Sequence, residues 1–446
     1  MARQWFLVVA AWLVMAPALL AGQTWIVAED GSGDFLEIQQ AIDAASERDL
    51  ILVKRGTYDS FTLRKALTIV GSGEDQTIAG QVWIREVPAG IPVVASMRAL
   101  HQKPVLGVLS PEARIVLWRI SLEIPPNVES YGSGFNYCRA AFLNNVTQIY
   151  DPDNWCDNQW NDASCLGLDH GQHFFISQSH FHAWDLINLG TVTGAAGILL
   201  NYEARGWIAE TDAIGGAGGM GYLGYDCVES HKGGPGGPGI WLADDHLPWT
   251  PPPEATIFGR PVNVIQGGPG GPGVEYIPGC DIGEGGTGGS GIVASAGVAT
   301  YSGVVPQGGP GGDGHPPGDP GGPGNGIETF PAMPTSTMEG DGKPGTTATF
   351  SFHATPGDQL QLVYSTVPDV FELPRTEGHP LIPSPEGVFG LIPGGVIDDT
   401  GTKAISFVIP TDVPPGIPFY VQGVLLGAHA PQLTNMSMLV TTPVWN

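Results

Sequence analysis

The sequence predicts an all-β chain in two parts: a right-handed parallel β-helix with Gly-rich loops over residues 24–330, then an antiparallel β-sandwich over residues 345–446. Three observations carry this expectation. Short apolar runs in the first part align with one another at intervals that lengthen along the chain. The added length is rich in glycine, the residue that tolerates unusual backbone angles and close backbone approach. The second part alternates apolar and polar side chains between turn residues, as strands with one buried face do.

The chain opens on an address. Met1-Ala-Arg3-Gln-Trp5 precedes an apolar run from Phe6 to Leu20, interrupted by Pro17 and followed by Ala21-Gly22. One positive charge, a short apolar core and a small-residue exit make a secretory signal peptide, assigned to residues 1–22. The run falls short of the roughly 20 residues that span a bilayer. The mature chain is therefore expected outside the cell, secreted or at its surface, with no transmembrane segment. Export permits disulfides. Of the five cysteines, at 138, 156, 165, 227 and 280, Cys156 and Cys165 would close a short loop, and the odd count leaves a thiol over. No Cys-x-x-Cys pair exists, which excludes a zinc ribbon.

Charge narrows the partners. With 44 acidic against 18 basic residues the formal charge is −26. Such a surface repels phosphate backbones and anionic lipid, so nucleic acid is excluded as a partner. The 42% hydrophobic and 9% aromatic content is too high for a disordered acidic chain.

After the address, Trp25-Ile-Val27 reads as a short strand and Gly31-Ser-Gly33 as a turn. Ile38, Ala41, Ile42 and Ala45 then share one helical face at i, i+3, i+4, i+7. Leu50–Val53 and Leu67–Val70 read as buried strands, with Arg55-Gly-Thr-Tyr58 as a turn. A helix, then short strands with turns between, suits a cap followed by the first coils of a β-helix. The stretches Val27-Ala-Glu-Asp-Gly-Ser-Gly-Asp-Phe35, Ile38-Gln-Gln-Ala-Ile42 and Ile51-Leu-Val-Lys-Arg-Gly-Thr-Tyr58 resemble the N-terminal cap and first rung of pectinesterases and the wider pectin-lyase-like superfamily.

The middle repeats. Leu166-Gly-Leu168 and Phe175-Ile176 align with Ile198-Leu-Leu200 and Trp207-Ile208, and Ile240-Trp-Leu242 and Ile292-Val-Ala294 repeat the opening of that unit. Only the connections lengthen, as in stacked rungs whose loops grow from one corner. Residues 215–326 hold 36 of the 66 glycines and 16 of the 40 prolines. Gly215–Gly221, Gly233–Gly239, Gly267–Gly273, Gly285–Gly291 and Gly308–Gly314 all read GGxGGxG. No GK[ST] follows, which argues against a phosphate loop, and the G-X-Y phase is too short for collagen. Tight loops packed beside the rungs, with glycines at positive φ and in close approach, are the expectation. Residues 331–344, rich in Pro, Thr and Ser, read as a linker. Beyond it Phe350, Phe352 and Ala354, then Leu360, Leu362 and Tyr364, then Ile405, Phe407 and Ile409 alternate, with Asp398-Asp-Thr-Gly401 as a hairpin turn. This part resembles the C-terminal β-modules of secreted multidomain bacterial proteins.

The pectinesterase resemblance implies two aspartates, a nucleophile and an acid/base, with an arginine orienting the nucleophile. Trp184-Asp185-Leu-Ile187 and Phe258-Gly-Arg260-Pro-Val262 offer Asp185 and Arg260, and Asp162, near Gln159, the second carboxylate. The phenylalanines of the family's aspartate strand are missing, and Val262 stands where its arginine motif has a sugar-stacking tryptophan. The rung alignment puts Asp185 and Arg260 in connections rather than on strands. A lyase of the superfamily would need calcium, and its motifs do not appear. Asp151-Pro-Asp153-Asn-Trp-Cys-Asp157 is an acidic loop suited to Ca2+, although Cys156 stands where an EF-hand needs Gly. His180 and His182 share a strand face at a metal-ligating spacing, but they align with Asp212 and Ile214, so no ligand ladder continues. Trp155 and Trp160, in a polar loop, are candidates for stacking on sugar rings. The expected function is a non-catalytic extracellular scaffold that binds a polysaccharide or cell-surface component. The alternative is a pectinesterase-like or calcium-dependent lyase enzyme. A fold present without its complete site favours the first.

Overall fold

The computed structural model describes residues 22–100, 106–123, 133–149, 164–170, 173–183, 193–220, 232–243, 251–273, 284–314, 317–329, 333–371, 377–378, 380–387, 389–427 and 431–445. The signal segment therefore lies outside the described residues, apart from Gly22. No described helix is long and apolar enough to cross a membrane.

The first part is a parallel β-helix with 22 strands among the described residues, joined in one continuous sheet. Each complete rung has three walls. Wall C (for example Ser164–Asp169) leads into wall A (His173–Ser177), which leads into wall B (His180–His182). The rung alignment read from the sequence holds: Leu166 pairs with Ile198 and then Ile240 and Ile292, and Phe175 with Trp207. Inside wall A one apolar column runs from Leu117 through Leu143, Ile176 and Ile208 to Ile257, all buried. Like stacks on like because every rung places the same position over the last. The helix Ile38–Ala44 closes the N-terminal end, burying Ile38, Ala41 and Ile42 against the first rung.

Two of the three corners are single left-handed residues. Ser96, Arg119, Asn145, Gln178 and Glu210 (φ 48–55°) turn wall A into wall B, and Glu86, Tyr137, His170 and Tyr202 (φ 48–58°) turn wall C into wall A. Each such residue carries roughly 1 kcal/mol of backbone strain, which the ladders on either side over-determine. The third corner, from B to C, carries the glycine-rich connections, and a further long connection, between Leu242 and Glu254, lies at a C-to-A corner.

Those connections correct the expectation of loops. None of the described glycines in the GGx segments takes a positive φ. Their contacts repeat every three residues and their hydrogen bonds pass only between segments, the period and bonding expected of polyproline II chains. Outgoing segments 215–219, 267–273 and 308–313 prolong wall B, and returning segments 233–239, 285–291 and 318–322 lead back to wall C. Within each layer neighbours are parallel, as in Gly236 N–H to Thr287 O at 2.8 Å and Gly218 N–H to Pro269 O at 2.9 Å. Between layers they are antiparallel, as in Gly271 N–H to Gly234 O and Gly286 N–H to Gly271 O, both 2.8 Å. The result is a two-layered fin that extends the rungs sideways.

The fin explains why two residues in three are glycine. One faces the opposite layer and one the preceding segment of its own layer. A Cβ on Gly270 would lie 2.0 Å from Gly286 O, and one on Gly271 2.1 Å from Gly219 O. The third residue faces outward, and Pro269, Pro272, Thr287 and Pro310 are exposed there, whereas Pro238, close to wall C, is buried.

The second part packs a three-stranded and a five-stranded sheet, with a two-stranded ribbon beside them. Pairings are antiparallel except that Glu377–Gly378 joins Gln432–Val440 in parallel. Part of the segment expected as linker, Thr335–Glu339, is a strand paired with Thr347–His353. Its polar side chains hid it: Ser336 is buried and bonded to Asn435 and Ser437. The sandwich docks on the outer face of wall A. Leu50, Val93, Trp118, Phe142 and Phe175 point away from the helix interior and join one buried cluster with Met338, Tyr420, Met436 and Val440. Arg114–Asp369 (3.1 Å) and Ser177 Oγ–H to Met436 O (3.0 Å) tie the seam.

Candidate functional site

Most residues proposed from the sequence fall outside the described residues: Asp151, Asp153, Trp155, Asp157, Trp160 and Asp162 in 150–163, and Asp185 in 184–192. The calcium loop, the sugar-stacking tryptophans and both candidate catalytic carboxylates are thus not located. Arg260 is described, in the turn after Glu254–Phe258. Its Nε–H bonds Glu210 Oε2 at 2.8 Å, and its backbone N–H bonds Asn263 Oδ1 at 2.9 Å. Glu210, one of the left-handed corner residues, has its side chain almost fully buried, while the Arg260 side chain is 40% exposed. His353 of the sandwich faces this pair. Burial first, and then the Arg260 charge, hold its imidazole below the ordinary value against the pull of Glu210. The arginine neutralises a buried carboxylate at the seam between the two parts.

One rung earlier, His180 stacks in register on Asp212, with Nδ1 and Oδ2 3.1 Å apart. Burial opposes the Asp212 charge, but the bonds from His180 and from Val264 N–H (2.7 Å) outweigh it and keep the carboxyl below its usual range. Among the described residues no three His, Cys, Asp or Glu side chains gather as a metal site. The short disulfide loop is corrected. Cys165 is a free thiol buried inside the helix, as is Cys138, and burial pushes both thiols well above their ordinary value. The strand Ser164–Asp169 turns the Cys165 side chain into the core, where its Sγ–H points to Gln148 O at 3.5 Å.

The described surface offers a different concentration of binding chemistry, at the corner between walls C and A. Tyr137, His170 and Tyr202, one per rung, stack at centroid distances of 4.4 and 3.8 Å. They can stack because the left-handed turn recurs at the same point in each rung and aims each side chain alike. Beside them on wall A, His173 and Trp207 stack at 5.6 Å, and Trp207 lies 4.9 Å from Phe175. Phe175 is sealed under the sandwich, whereas Trp207 and His173 stand partly open at its border. Next to the second stack, His173, Glu203, Arg205 and Pro251 line a cleft of about 280 Å³. Arg205 is within 3.7 Å of Glu254, so the cleft holds both signs of charge. Flat aromatic faces and edges with a few charged hydrogen-bonding groups suit a polyhydroxylated ligand.

The sequence reading missed this face. Trp207 was placed only as a rung residue, and Tyr137 and Tyr202 not at all. Their signal was present: each stacked aromatic follows the wall C strand of its rung by the same offset. No family model matches the chain, and comparison with curated proteins and with solved structures likewise finds no match.

Proposed function

We propose that the protein is a non-catalytic extracellular scaffold that binds a polysaccharide or a glycosylated cell-surface component through the aromatic corner between walls C and A. The observation that carries this reading is the pair of ring stacks, with the Glu203–Arg205 cleft lined by His173 of one of them. Three further points support it. The signal-like N-terminus favours export, and the cap and first rung resemble pectin-lyase-like proteins, whose substrates are polysaccharides. The arginine proposed for catalysis is already engaged by Glu210. Stacked rings fixed by the backbone form a preorganised platform, which lowers the ordering cost of binding.

The test is twofold. Binding to a panel of immobilised polysaccharides should be lost in Trp207→Ala and Tyr202→Ala while the fold, read by circular dichroism, is kept. Incubation with methylated and unmethylated polygalacturonate, with and without Ca2+, should release neither methanol nor unsaturated uronate. Release of either would overturn the scaffold reading in favour of an enzyme.

A further inference from the structure

We propose that the terminal edge of the fin binds one extended polypeptide segment carrying glycine at every third residue, seated in polyproline II conformation parallel to residues 308–313. The inference stands on the fin alone and is independent of the glycan reading.

The fin itself states what each position in the lattice requires. The first glycine of a triplet donates its N–H along its own layer to the carbonyl of a third residue: Gly215 to Gln266, Gly218 to Pro269, Gly267 to Gln307 and Gly270 to Pro310, at 2.9–3.0 Å. The second glycine donates across to the other layer: Gly268 to Gly237, Gly271 to Gly234, Gly309 to Gly289 and Gly312 to Gly286, at 2.7–2.8 Å. At the last rung the two layers end differently. In the returning layer, Pro320 and Pro323 stand immediately after the carbonyls of Asp319 and Gly322, where a first glycine would donate onward, and proline has no N–H. That edge is capped, as exposed sheet edges commonly are.

The outgoing edge is not capped. Among the described residues the N–H groups of Gly308 and Gly311 have no acceptor, and no N–H reaches the carbonyls of Gly318 and Gly321. Two donors and two acceptors therefore face the same open position, in the register that a further outgoing segment would use. Adding a strand to an exposed edge is an established mode of peptide recognition.

Sterics define the occupant. Its donating residue corresponds to Gly309 and Gly312, where a Cβ would meet Gly268 O and Gly271 O at 2.0 Å. In the open position the same atom would strike the carbonyls of Gly309 and Gly312, so this residue must be glycine. The preceding residue corresponds to Gly308 and Gly311, whose Cβ atoms would strike Gly321 O at 1.9 Å and Gly318 O at 1.8 Å. Among the described residues no such carbonyl stands beyond the last returning segment, so there the occupant can carry a side chain, proline included. The residue after the glycine faces solvent. The ligand is thus a Gly-X-Y chain, and prolines at X and Y lower the entropy lost on docking by pre-setting polyproline II.

The probe is a short Gly-Pro-Pro repeat peptide added to full-length protein labelled with 15N-glycine, with an Ala-Pro-Pro repeat as control. Both peptides are polyproline II, and only the control carries the excluded Cβ. Shifts of the Gly308 and Gly311 amides with the first peptide and not the second are expected. A sarcosine-Pro-Pro repeat, which adds no Cβ but lacks the N–H groups that would donate to the Gly318 and Gly321 carbonyls, should bind about tenfold or more weakly, the loss of two backbone hydrogen bonds. Equal shifts with the alanine peptide, shifts confined to other glycines, none at millimolar peptide, or full binding by the sarcosine peptide would each overturn the proposal. The glycine peptide should also slow hydrogen exchange at Gly308 and Gly311, and absence of that slowing sinks the idea.

Discussion

Replacing Gly268 by Ala tests whether the fin is held by close backbone approach rather than by glycine's freedom of φ. A Cβ there would sit 2.0 Å from Gly216 O and 2.4 Å from Gly216 C. Carbon–oxygen contacts relax at about 3.3 Å, so segment 267–273 must withdraw from segment 215–219 by more than an ångström. The bonds Gly215 N–H to Gln266 O and Gly218 N–H to Pro269 O, both 2.9 Å, join those two segments and would stretch out of range. Two lost bonds cost about 2 kcal/mol. The lower entropy of the unfolded alanine chain returns roughly 0.4–1 kcal/mol, leaving a net cost of about 1–1.5 kcal/mol. Pro269→Ala, one residue away at an exposed position with no N–H in play, should stay within about 1 kcal/mol of the parent. Hydrogen-exchange mass spectrometry of the fin peptides reads the difference: exchange roughly tenfold faster in Gly268→Ala. If the two variants exchange alike, the close-approach account is wrong.

The Glu210–Arg260 pair should behave as a couple. Arg260→Ala leaves a buried carboxylate without its partner and should cost about 1–3 kcal/mol in chemical denaturation, while adding Glu210→Gln should recover most of it. The depressed pKa of His353 fixes the sign of a pH effect. The unfolded imidazole takes its proton first, near the ordinary value of 6.5, so stability is full above that pH and declines as pH falls below it toward the folded value. Thermal unfolding from pH 7.5 downward should show this decline, and His353→Gln should flatten it; an unchanged profile would refute the assignment. Cys138 and Cys165 should resist iodoacetamide in the native protein and react once it is unfolded, as read by peptide mapping. Recovery of Cys165 in a disulfide-linked peptide would contradict its place in the core.

The rungs were legible because their inward positions are uniformly apolar and their pairing offsets could be matched residue for residue: Ile176 to Ile208, Leu200 to Leu242. The glycine-rich region was legible only as an exception. Its period of three was visible, but two glycines in each triplet imply two directions of close packing, and that follows only once both layers are seen. The docked sandwich was hidden for a different reason. Phe142 and Phe175 alternate with inward residues as any buried strand does, so wall A reads as covered on both faces without naming its cover. The aromatic corner escaped notice because stacking across rungs depends on the left-handed residues Tyr137, His170 and Tyr202. Tyrosine in that conformation breaks the propensity rules from which a sequence is read.

The fin also has a consequence for how such a protein can change. Polyproline II advances about 3.1 Å per residue, so one GGx triplet added to an outgoing segment and one to its returning partner would carry the connecting turn roughly 9 Å farther from the rod. The rungs, their register and the packing of neighbouring triplets would stay as they are. An insertion of one or two residues would instead put side chains where only glycine fits. Reach in this architecture is a ruler graduated in triplets, adjustable in sequence without redesigning the body that holds it.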